Sequence, residues 1–97
     1  MNLLCALFAC LSMSVSAYTD ADGAGHGITA SGAKTRPGIA ACGPSFPFGT
    51  ILLVGAKWYV CMDRGSAITD GHLDVWHQDE DAAWQWGRKE LLVVVVR

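Results

Sequence analysis

Thr50–Met62 reads T-I-L-L-V-G-A-K-W-Y-V-C-M, two apolar runs on either side of Gly55-Ala56. Runs this short, rich in β-forming residues and separated by a glycine turn, predict two strands, Thr50–Val54 and Lys57–Met62. Upstream, Pro44, Pro47 and Gly49 make a turn-rich connection from a short apolar strand over Gly38–Cys42 (GIAAC). Downstream, the loop Gly65–Gly71 leads into His72–Trp76 (HLDVW), which alternates. Leu73 and Val75 therefore share one face, with His72, Asp74 and Trp76 on the other. Asp79–Trp86 is the one helical stretch, with acidic residues in its first turn and Gly87-Arg88 to stop it. Leu91–Val96 (LLVVVV) is continuously apolar and predicts a strand buried on both faces. With a short extended piece at Ile28-Thr29, these are about six strands and one short helix, an all-β chain forming a compact barrel.

The 97 residues carry a net charge of −2, with seven Lys/Arg against nine Asp/Glu. One small domain is expected, and a basic nucleic-acid face is excluded. The uncharged run Leu3–Val15, closed by Ser16-Ala17, fits a signal-peptide core with cleavage before Tyr18, although Met1-Asn2 supplies no positive charge. The alternatives for this run are a short amphipathic start or a buried first strand. On the leader reading, residues 1–17 are removed and residues 18–97 form the mature domain, secreted or periplasmic. The run is too short to span a bilayer, so no membrane span remains after cleavage. Cys5 and Cys10 leave with the leader. Cys42 and Cys61 then read as one disulfide, the alternative being two free buried thiols.

Chemistry concentrates in Asp63-Arg64-Gly65 and Asp70-Gly71-His72-Leu73-Asp74. Asp63 ends an apolar strand and Asp74 lies inside one, placements that cost free energy unless the carboxylates are hydrogen-bonded or used. Burial, or mutual repulsion if the two approach, would keep one protonated as a general acid requires. The structural alternative is that Asp63 caps a turn and Asp74 bonds to backbone amides. Gly23, Gly25 and Gly27 alternate but open no helix, so they are read as loop rather than a phosphate cradle.

From Gly27 to Val96 the chain resembles the 3D (three-aspartate) domain of the A-type membrane-bound lytic transglycosylases. More distantly it is similar to the rare-lipoprotein-A and expansin domains. The matching blocks are Thr29-Ala30-Ser31-Gly32, Ile39-Ala40-Ala41, Phe46–Thr50, Asp63–Ile68, Gly71–Trp76, Asp81-Ala82-Ala83 and Trp86-Gly87-Arg88, with the terminal valine strand. The resemblance implies a six-stranded double-psi β-barrel whose cleft binds peptidoglycan glycan strands. It implies that Asp74 is general acid, then base, in cleaving the MurNAc–GlcNAc bond, drawing the muramoyl C6 hydroxyl onto C1 to leave a 1,6-anhydro product. Asp63 matches the supporting aspartate, and Thr29, Ser31, Gly65 and Ala67 fall in blocks that line the groove. Cys42 stands where the family's first aspartate usually follows the Ile-Ala-Ala block, which reads as a structural substitution through pairing with Cys61. The transglycosylases build their groove between the barrel and a second domain, so a second copy or a partner protein would complete the cleft.

Two other readings compete. In a non-catalytic glycan-binding barrel, Asp74 would bond a sugar hydroxyl while Trp76 or Trp58 stacks on a ring; Trp76 is the stronger candidate, and most tryptophans are expected in the core. In a zinc-dependent wall hydrolase, His72 and Asp74 would be ligands with His77 or His26, but no HExxH or CxxC pattern supports this. No cofactor and no metal are expected.

Overall fold

The structure, a computed structural model, describes residues 9–22 and 27–96. The elements are β1 (Ala9–Tyr18), β2 (Ile39–Ala41), β3 (Ile51–Val54), β4 (Lys57–Asp63), β5 (His72–Trp76), a helix α1 (Glu80–Trp86) and β6 (Lys89–Val95). The strands close into a barrel in the order β1-β5-β2-β4-β3-β6. β1 pairs β5, and β2 pairs β4, in parallel; the remaining pairs are antiparallel. The all-β, six-stranded barrel with one short helix expected from the sequence is thus present among the described residues.

Period-two alternation fills the interior. Met13 and Val15 of β1, Leu52 and Val54 of β3, Tyr59 and Cys61 of β4, Leu73 and Val75 of β5 and Val93 of β6 form one buried cluster. Cys42 and Cys61, both fully buried, are joined by a disulfide with Cα atoms 5.8 Å apart. The bond ties the end of β2 to its parallel neighbour β4. Closing a loop of this size adds on the order of 3 kcal/mol by restricting the unfolded chain, a large share for a small core.

Two elements differ from expectation. β6 is buried on both faces only at Val93 and Val94, adjacent residues that point to opposite sides of the wall; Leu92, on the same side as Val94, is half exposed. Ile28 makes only an isolated bridge with Lys34, and the sixth strand is β1 instead.

β1 contains Ala9–Ala17, residues that the sequence reading assigns to a leader. It runs antiparallel to β6 from Ala9↔Val95 to Val15↔Lys89 and parallel to β5 from Ser14↔His72 to Tyr18↔Trp76. Cleavage before Tyr18 would remove the strand that closes the barrel. Met1 to Phe8, including Cys5, and Gly23, Gly25 and His26 lie outside the described residues.

α1 follows β5 and is capped by Asp79, whose carboxylate accepts from the Asp81 amide. It rests on β1 through the buried Ala83 and through Trp86, whose indole N–H donates to the Val15 carbonyl at 3.3 Å. No helix among the described residues is long and apolar enough to cross a membrane.

Candidate active site

β2 is only three residues long, and Ala41 faces Asp63 on β4 to one side and Asp74 on β5 to the other. The two aspartates therefore share one level of the wall, two interstrand spacings apart, about 9.5 Å between Cα atoms. They do not touch. Each is held by a different set of donors, and both sets draw on β1.

Asp63 is saturated with hydrogen bonds. One oxygen accepts from the Ala30 amide at 2.8 Å and the Arg64 amide at 2.9 Å, and the other from the Tyr18 hydroxyl at 2.7 Å. Burial, the hydrogen bond to Asp63 and the negative charges of Asp63, Asp74 and Asp20 push the Tyr18 phenol far above its usual range, so it stays a donor. Tyr18 senses both carboxylates and stands between their environments.

Asp74 is half-buried and receives one hydrogen bond, from the Ser16 hydroxyl at 3.1 Å. Ser16 Oγ also lies 2.7 Å from Nε2 of His72. When the Ser16 proton goes to Asp74, the imidazole N–H must donate to Ser16, giving a chain from His72 through Ser16 to Asp74. Burial pushes the Asp74 carboxyl up from the usual carboxylate range. The Ser16 bond and the charges of His72 and Arg88 oppose that rise, while Asp22 adds to it. The repulsion raising this carboxyl thus comes from Asp22 rather than from Asp63. The result is a group that keeps its proton to higher pH, the property a general acid needs.

Asp74 opens onto a cavity of about 560 Å³. Tyr18 and Asp22 line one part of it, and Glu80, Asp81 and Trp84 of α1 another. Trp84 is 87% exposed, the most exposed large apolar side chain among the described residues.

The expected groove residues lie elsewhere. Thr29 is buried, its hydroxyl within 2.9 Å of the Ser31 hydroxyl and accepting from the Ala33 amide. This bracing shapes the loop that presents the Ala30 amide to Asp63. Gly65 and Ala67 are exposed on the loop after Asp63 and do not line the Asp74 cavity. Trp76 is buried, and its indole N–H donates to Asp20 at 2.9 Å. Its ring instead contributes to a smaller cavity of about 180 Å³ with Trp58 and His77. His72 and Asp74 meet on the Ser16 hydroxyl, and the His77 ring packs against Trp86 with centroids 5.4 Å apart. Among the described residues no group of three His, Cys, Asp or Glu side chains is placed to hold a metal ion.

Sequence reasoning passed over Ser16, Tyr18 and Trp84. The first two sit in or beside the segment assigned to the leader. Trp84 and the half-exposed Trp58 were expected in the core with most tryptophans, but Ala83 and Trp86 carry the packing of α1 and leave Trp84 outside.

The model of the 3D domain family matches residues 39–97, more than half of the chain. The fold is similar to that of MltA from E. coli, with a TM-score of 0.60 and 24% identity. That match covers 70% of this chain and 26% of the other, so the chain spans about a quarter of that protein's length. Together with the closed mixed barrel, this places the fold among the double-psi barrels. No curated protein matches the chain.

Proposed function

The chain belongs to the 3D domain family, and from that membership we propose that it cleaves peptidoglycan glycan strands by lytic transglycosylation, with Asp74 as the acid and base. The observation carrying this reading is a half-buried aspartate, pushed toward its protonated form, that opens onto a sugar-sized cavity. Protonated Asp74 gives its proton to the glycosidic oxygen as the bond from C1 of the muramoyl ring breaks. The resulting carboxylate takes the proton of that ring's C6 hydroxyl, whose oxygen bonds to C1 and leaves a 1,6-anhydro end. One carboxylate suffices because the nucleophile is intramolecular. Ser16 returns a hydrogen bond to Asp74 in its charged form. Asp63 acts by fixing Tyr18 and the Thr29–Ser31 loop beside it.

Purified sacculi incubated with the chain should release muropeptides with anhydro-muramoyl ends, and Asp74→Asn should abolish them. Reducing ends would instead mean hydrolysis. A sacculus bound but uncut would favour a glycan-binding barrel, a reading that the cavity's open walls and the short span of MltA covered also suit. In that case a partner protein or second copy supplies the missing wall. The buried disulfide suits an oxidising compartment and hence export. A leader ending at Ala17 and a barrel containing β1 describe different molecules, and the intact mass of the exported protein distinguishes them.

A further inference from the structure

Within this reading of the site, we propose that Trp84 is a stacking platform for the N-acetylglucosamine ring on the leaving side of the cleaved bond. Tryptophan is usually largely buried, so an indole left 87% exposed is informative where it borders a cavity. Ala83, its neighbour on α1, packs inward, and Trp86 anchors the helix to β1. The helix is therefore held without Trp84. Its indole lines the same cavity as Asp74. A sugar presents a face of C–H groups that suits the electron-rich face of an indole, and hydroxyls that suit carboxylate acceptors.

Charge decides on which side of Asp74 that ring sits. Asp22, Asp74, Glu80 and Asp81 all line this cavity, and among the described residues no lysine or arginine lines it, the charge of Arg88 acting on Asp74 from outside the lining. An anionic group entering it would meet like charge. N-acetylglucosamine is neutral and fits; a free lactyl carboxylate does not. The acid that protonates the glycosidic oxygen lies between the two rings, so a neutral ring on Trp84 puts the muramoyl ring on the other side of Asp74.

The test is calorimetric titration of the full chain with tetra-N-acetylchitotetraose. Wild type should bind, Trp84→Ala should bind at least tenfold more weakly with an unchanged circular dichroism spectrum, and Trp84→Phe should recover part of the loss. Free N-acetylmuramic acid should compete less well than N-acetylglucosamine. Affinity kept in Trp84→Ala, or lost in Trp58→Ala instead, overturns the platform. If sacculi are still cleaved in that case, the transglycosylase reading survives. Failure of the wild type to bind either the tetrasaccharide or sacculi overturns both.

Discussion

Asp74 combines burial, one hydroxyl donor and an acidic neighbour, and these make opposite demands on stability and on chemistry. A carboxyl whose proton is held more tightly in the folded state contributes stability that is fully present below the ordinary aspartate value and is lost as pH rises through its raised value. Asp74→Asn removes that burden, so its melting temperature should exceed wild type at pH 7. Below the ordinary aspartate value both the folded and unfolded states hold the proton, so the gain should vanish below about pH 3. Equal shifts at both pH values would show that burial of this charge is not the cause. Ser16 works in the other direction, since its hydroxyl favours the ionised form. Ser16→Ala should move the alkaline limb of the pH–activity profile upward, because the bond it removes favours the ionised carboxylate. His72→Gln should move it the same way by less, and a fall in rate with no movement of the limb would leave Ser16 a packing role only.

At the scale of elements, the junction of β2 with the loop before β5 brings two backbones together at Gly43. A Cβ on Gly43 would lie 2.5 Å from the backbone nitrogen of Asp70, whose carboxylate accepts from the Ser45 amide and hydroxyl. Gly43→Ala must push these segments apart, and should cost about 1–3 kcal/mol in urea unfolding. The adjacent disulfide is separable from this effect: Cys42→Ala with Cys61→Ala should cost about 3 kcal/mol while leaving the Gly43 contact in place. Most strands were legible as short runs of β-forming residues, alternating in β5 and continuously apolar elsewhere, punctuated by glycine or proline. β1 was not, although Ser12, Ser14 and Ser16 alternate with Met13, Val15 and Ala17 in strand fashion. An uncharged apolar run closed by small residues is also what a leader looks like, and that pattern masks the alternation. Asp63 and Asp74 stood out as carboxylates among apolar residues, but their partners come from a strand and a loop far away in sequence, which spacing cannot reveal.

For the whole molecule, barrel and site share a strand. Met13 and Val15 of β1 fill the core, while Ser16 and Tyr18 of the same strand supply hydrogen bonds to Asp74 and Asp63. A chain beginning at Tyr18 loses the pairing partners of β5 and β6 on one side. It should give a broad, non-cooperative thermal transition and no anhydro product, whereas the full chain melts cooperatively. A sharp transition in the shortened chain would show that the barrel can close without β1. Architecture of this kind leaves little room for half-measures. Proteolysis or processing within β1 would not yield a sound scaffold with a blunted site; it would remove a barrel strand and the hydrogen bonds to Asp74 and Asp63 together, so the proposed activity should stand or fall with that strand.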